Sequence, residues 1–403
     1  MFTGLKALGL AGFVLALATP AAAQWLPDQP LTLAGGHVVI GADVTATIGA
    51  DDPGFYNYTS YEFSALRNFR LGVSAEVRAN DYLQVLGEVR LEQGRVFDIY
   101  GLFVRVRPWP QRRFDLQAGR VPPTFGAMAL TAYGTGNLLI GQPLAYQYLT
   151  SIRRDALPAS TDDLLRMRGR GWRSNFPLGN TDPGPGLPMV NTSRWDTGVQ
   201  AHGVIGMFDW SGSVTTGSLS DPRWRDNNQG RQLAGRLVAR PHAAWQLGAS
   251  VSRGAWLNRT LDGVVPNADA SRATQVAAGG DAEFSAGPFL IRGEVIRSRW
   301  TVPAVNAPVI GGDLIATSTL VEGRYKIAPG LYVALRGDRL DFSEILGSRL
   351  RDTWDADTWR VEAGAGYSLT RNLMLKGAWQ RNRRDGGRVR HDDLVAAQVV
   401  YWF

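Results

Sequence analysis

The chain has 403 residues, 44% of them hydrophobic and 10% aromatic, with a formal net charge of +7 and no cysteine. No disulfide framework can hold the fold, and beyond the N-terminal segment no run approaches the ~20 apolar residues that a membrane helix needs. Lys6, Lys326 and Lys376 are the only lysines, so the positive balance is carried by arginine. It favours anionic partners mildly and points to no nucleic acid.

Residues 1–23 read as a secretory signal peptide. Lys6 supplies the charged start, Ala7 to Ala18 the short apolar centre, and Ala21-Ala22-Ala23 the small-residue end before Gln24. Loss of Lys6 with that segment lowers the formal charge from +7 to +6. Residues 24–403 then form one domain, because no linker and no shift in composition divides them.

Period-two alternation dominates the rest. Phe69, Leu71, Val73, Ala75 and Val77 interleave with Arg70, Ser74, Glu76 and Arg78. After Ala79-Asn80-Asp81 the pattern restarts as Leu83, Val85, Val89 and Leu91 against Gln84, Glu88, Arg90 and Glu92. Such runs predict strands over 36–49, 62–78, 82–92, 97–107, 114–120, 195–205, 209–218, 231–240, 244–256, 274–284, 288–299, 313–325, 331–342, 357–369, 372–382 and 392–403. Tight connections alternate with long ones, as periplasmic turns and outer loops do in bacterial barrels, with 93–96 short where a long loop is expected.

Tyr82, Trp109, Phe114, Phe208, Trp210, Trp245, Phe284, Phe289, Tyr325, Tyr367, Tyr401 and Phe403 lie beside the tight turns, as an interfacial aromatic girdle would. A looser set, Phe63, Trp195, Trp256, Trp300, Phe342 and Trp359, is expected at the opposite rim. Together these signals predict an all-β, antiparallel transmembrane barrel of about sixteen strands in the bacterial outer membrane. The lipid of that membrane is its first partner.

If the apolar face meets lipid, the alternate residues face a lumen. These are Arg70, Arg78, Arg90, Arg105, Arg236, Arg240, Arg292, Arg324, Arg336 and Arg360, with Glu76, Glu88, Glu92, Glu294, Glu322 and Glu362. Unpaired buried charge is costly, so this wall must be hydrated or mutually paired. One reading is an ion-pair lattice bracing the wall. The other is an arginine surplus that draws anions through a pore. The longest connection, 121–194, carries apolar residues that need a packing partner and also Arg153, Arg154, Arg166, Arg168, Arg170 and Arg173. It is expected to fold into the lumen and place positive charge at a constriction. Thr161-Asp162-Asp163 before Leu164-Leu165 predicts a capped short helix there.

The stretch Leu116-Gln-Ala-Gly119-Arg120-Val-Pro122-Pro123-Thr-Phe125-Gly126 resembles a segment after an early strand in the phosphate-selective porin-like proteins. Ser220 to Arg231, the run Ala234-Gly235-Arg236 and the closing Tyr401-Trp402-Phe403 are also similar to that group. The resemblance implies a sixteen-stranded porin, homotrimers, and a third-loop constriction matching 121–194. The lysine clusters of that family are missing, so phosphate is not assigned.

His37, His202, His242 and His391 stand in no metal-ligand or nucleophile-elbow spacing, so neither enzymatic chemistry, cofactor nor metal is expected. The reading is therefore a pore for passive diffusion of small hydrophilic solutes, with anions mildly favoured. One alternative is a barrel plugged by its long loop and serving as a surface interaction protein. The other is a barrel hydrolase using His391 with Asp392 or Asp393.

Overall fold

The computed structural model describes residues 27–58, 63–94, 96–109, 113–129, 131, 133–264, 269–303, 310 and 312–403. The signal-peptide reading of 1–23 lies outside them.

Sixteen long strands form the wall. They are β1 (Val38–Gly49), β2 (Phe69–Arg78), β3 (Leu83–Glu92), β4 (Val96–Val106), β5 (Phe114–Val121), β6 (Asp196–Ile205), β7 (Phe208–Thr215) and β8 (Gln232–His242), followed by β9 (Trp245–Ala255), β10 (Thr274–Ala286), β11 (Phe289–Trp300), β12 (Leu314–Ala328), β13 (Leu331–Phe342), β14 (Thr358–Thr370), β15 (Leu373–Arg384) and β16 (His391–Trp402). Each pairs antiparallel with its sequence neighbour, and β16 returns to β1 through Asp43↔Trp402 to Gly49↔Ala396. Reciprocal backbone bonds between Ala42 and Phe403 finish the closure. A closed sheet leaves no edge, which is what allows strands to cross hydrocarbon. The strand over 62–78 is shorter than expected. It begins at Phe69, because residues 64–67 turn back on themselves, with Arg67 N–H donating to the Ser64 carbonyl.

Along each strand exposure alternates. Val73, Val85, Val251, Val295, Leu335 and Val395 are exposed, while Gln84, Ser252, Ser298, Arg336 and Leu394 between them are buried. In water such a band of bare valine and leucine would be a liability. Around a closed antiparallel barrel it is the lipid-facing surface of an outer-membrane protein. The girdle beside the tight turns is present: Trp109 and Phe114 rings lie 5.3 Å apart, Trp245 and Phe284 4.9 Å, and Phe289 and Tyr325 4.8 Å. The connection between β3 and β4 is tight, with Gln93 and Gly94 both in the left-handed region.

The second aromatic set departs from expectation. Trp256, Trp300 and Phe342 are almost fully buried and belong to one apolar cluster with Trp354, Leu314 and Leu340. Trp300 and Phe342 take the inward parity at the outer ends of β11 and β13, and Trp256 directly follows the outer end of β9, where the wall changes from polar to apolar; the long loop supplies the other half of that cluster through Leu144, Ile152, Leu164 and Met189. Trp195 is likewise packed inward, 5.1 Å from Tyr100. Trp359 keeps the outward position expected of it, 38% exposed.

A candidate pore and the loop across it

All ten arginines and six glutamates assigned to the lumen take the inward parity of their strands. Most are paired. Arg70 lies 2.9 Å from Glu92, Arg78 and Arg90 each 2.6 Å from Glu76 and Glu88, and Arg236 2.6 Å from Asp281. Arg240 is bonded to Asp209. Arg292 and Arg336 share the carboxylate of Glu322, and Arg336 also reaches Glu362 at 3.4 Å. Glu322 and Glu362 are completely buried, so each needs these guanidinium partners to be held in the wall at all.

Positive charge exceeds its partners at two levels. Near the tight-turn end Arg105 and Arg107 converge on the single carboxylate of Asp115, at 3.8 and 3.1 Å, with His202 3.4 Å from the same group. Deeper in, Arg360 donates to Asn382 Oδ1 and to the carbonyls of Gln142 and Tyr56, and Lys376 Nζ donates to those of Gly134, Asn137 and Leu139. Lys376 and Asp338 were not singled out from the sequence. Both take the inward parity, between Leu375 and Gly377 and between Gly337 and Arg339, and that parity could have found them.

The connection after β5 is tied to these wall groups. Gln200 Nε2 and Thr124 are 2.8 Å apart, and Thr124 donates to Ser213. Gly126 N–H donates to Ser250 Oγ and Ala127 N–H to Glu294, whose other oxygen accepts from the Tyr146 hydroxyl at 2.7 Å. Ile140 and Gly141 N–H both donate to Glu362, and Leu144 N–H donates to Asp338. Arg336 donates to the Gly141 carbonyl and to Asn137 Oδ1, both at 2.7 Å, and the Tyr332 hydroxyl donates to the Leu138 carbonyl. On the opposite wall the Tyr133 ring lies 3.6 Å from the Arg70 guanidinium carbon and 5.1 Å from that of Arg90, which also sits 3.1 Å over Tyr100. Thus residues 124–146 contact strands on both sides of the barrel. Two cavities of ≈ 20 Å³ flank Tyr133 and Gln142, room for about one water each.

The six arginines expected at a constriction are placed elsewhere. Arg153 is buried, clamped on Asp155 and on the Ser174 and Asp182 carbonyls. Burial pushes the Asp155 carboxyl up, but the bonds from Arg153 and Asn180 outweigh it and hold the group below its ordinary range. Arg154 pairs with Asp221. Arg168 bonds to Asp352, Thr353 and Asp385 of two outer loops, and Arg166, Arg170 and Arg173 are exposed. The reason is partition within the connection: its second half packs against outer loops, as when Ser151 and Gly169 N–H donate to buried Asp355. The expected helix is Thr161–Arg166, capped one residue earlier than Thr161, by Ser160 accepting from Asp163 N–H.

His391 is exposed at the start of β16. Among the described residues no group of three or more acidic or histidine side chains could hold a metal.

No family model matches the sequence, and no curated protein matches it either. Solved structures do resemble the fold. OmpF of Salmonella typhi, in complex with daunomycin, aligns with a TM-score of 0.56 at 12% identity, covering 91% of this chain and 97% of that one. An anion-selective porin from Comamonas acidovorans gives 0.54 at 12%, covering 91% and 99%. In-vitro folded OmpT of Vibrio cholerae in its trimer form gives 0.51 at 13%, covering 93% and 100%. The architecture is that of the porins, sixteen strands closed into one barrel.

Proposed function

We propose that this chain is a diffusion channel of the bacterial outer membrane, passing small hydrophilic solutes along a path narrowed by residues 124–146. The observation that carries the reading is the middle of the inward wall, where arginines and carboxylates pair in a polar surface stable only where water or partners meet it. Tyr133 over Arg70 and Arg90 supports that narrowing. Mild anion preference follows from the cations left in excess, Arg105 and Arg107 around Asp115 and the carbonyl-bound Arg360. On this proposal the paired arginines brace the wall and the unpaired ones draw anions. No enzymatic step is invoked. A homotrimer fits the porin architecture.

A second reading is supported by the loop contacting both sides of the barrel with about one water's room beside Tyr133: a plugged barrel acting through its outer loops. Single-channel recording of the refolded protein in a planar bilayer separates the two. Small, stable open steps with an anion-positive reversal potential under a salt gradient support the channel. A folded barrel with no steps establishes the plug. Replacing Arg166, Arg168 and Arg170 should alter the outer mouth and leave step amplitude unchanged.

A further inference from the structure

Three rings from two distant connections meet at the outer-loop end of the barrel. The Phe55 and Trp172 rings stack face to face, 3.5 Å between centroids and 12° between planes, and the Tyr58 ring stands across Phe55 at 66° with 4.6 Å between centroids. All three are only partly buried. Rings left to themselves do not choose this pairing, because aligned quadrupoles disfavour a face-to-face sandwich. Phe55 also carries a backbone cost. Its φ is +57°, and among the described residues it is the one aromatic in the left-handed region, which a bulky side chain rarely adopts.

The surroundings impose both costs. Buried Asp52 accepts from the N–H groups of Tyr56 and Asn57 at 3.0 and 2.7 Å, and the Phe55 N–H donates to the Asp52 carbonyl, which closes a tight turn with Phe55 at its end. The next two residues are fixed to the pore: the Tyr56 carbonyl accepts from Arg360 in the wall, and the Asn57 carbonyl accepts from Gln147 in the long loop. Trp172 follows Gly171, which lies so close to the Leu149 carbonyl that a Cβ there would be 1.7 Å from its oxygen. Strain of this kind persists where the fold over-determines it, and it gathers at ligand clamps. Hydrogen-bonding groups flank the rings. The exposed pair of Arg67 and Asp51 is within electrostatic reach of Tyr58, and the Arg173 guanidinium carbon lies 5.8 Å from the Trp172 ring centroid.

We propose that this aromatic platform binds pyranose sugars at the outer mouth, with the C–H face of the sugar against the exposed surface of Trp172 and its hydroxyls bonded by Arg67, Asp51 and Arg173. The choice of occupant rests on the reading of the chain as a path for small hydrophilic solutes. A pyranose is such a solute, and it also carries a rigid C–H face that meets the negative face of an aromatic ring. An open-chain polyol offers the same hydroxyls without that face. The test titrates folded protein in a non-glycosidic detergent with glucose and with sorbitol, read by saturation-transfer NMR. Glucose should bind saturably and sorbitol about tenfold more weakly, the factor that one ring contact is worth. Trp172→Ala and Phe55→Gly should each lose a similar factor for glucose, and the glycine accepts the positive φ, so the turn persists in that variant. Equal binding of sorbitol overturns the proposal without any variant. So does the lack of saturable glucose binding, or unchanged affinity in folded Trp172→Ala. Because no current is read, the platform and the channel fail separately. Open steps without glucose binding overturn the platform and leave the channel standing; glucose binding that is lost in Trp172→Ala, by a barrel with no open steps, upholds the platform and refutes the channel.

Discussion

Replacing Arg336 with alanine tests whether the bonded loop sets the conducting path. Arg336 is 1% exposed and joins two fully buried wall carboxylates, Glu322 and Glu362, to the loop at the Gly141 carbonyl and Asn137. Its removal leaves Glu322 with Arg292 alone and deprives the loop of two charge-assisted bonds. Breaking a buried pair from one side costs about 3–5 kcal/mol. The barrel should survive, because the β12–β13–β14 ladder is backbone-bonded over the whole of β13. The loss falls instead on docking of residues 137–142, whose undocked population should rise by about two to four decades. In planar bilayers the variant should show larger open steps with rapid flicker. Arg336→Lys should be intermediate, since it keeps the charge and loses the fork. Refolded Arg336→Ala with the heat-modifiable mobility of a closed barrel and wild-type step amplitude and noise would refute the view that this segment narrows the path.

Tyr133→Ala should clear the space over the guanidinium faces of Arg70 and Arg90 and raise single-channel conductance with little change in reversal potential, because both arginines stay paired with Glu92 and Glu88; an unchanged step amplitude would contradict the placement of Tyr133 in the path. Asp355 gives a pH prediction. Burial pushes its carboxyl up to about 6 although it accepts from Ser151, Gly169 and Ala356 N–H, whereas an undocked aspartate titrates near ~3.9. The docked state therefore holds the proton more tightly. Acidification from pH 7 toward pH 4 should stabilise docking of the outer segment around Ser151 and Gly169, and the gain is lost as pH rises through about 6. Limited proteolysis within 150–170 should slow on acidification in the wild type and be flat over that window in Asp355→Asn.

The wall was legible from residue order alone, because a strand's side chains alternate strictly and lipid and water select opposite chemistry for the two faces. Parity therefore places Arg70, Arg336, Glu322 and Glu362 inward without any tertiary information, and the aromatic residues beside tight turns mark one interface for the same reason. The alternation could not say what fills the lumen. Trp300 and Phe342 carry the inward parity of the wall and Trp256 directly follows a strand end, yet at such a position an aromatic ring fits an interface and a core equally well. Only the return of Leu144, Ile152 and Leu164 against them decides for the core. The same holds for the loop's arginines: Arg153 finds Asp155 two residues away, but sequence places Arg168 in one connection with Tyr133 while its partners Asp352 and Asp385 come from other outer loops, and such long-range pairing is fixed by closure of the barrel, which brings distant loops to one mouth.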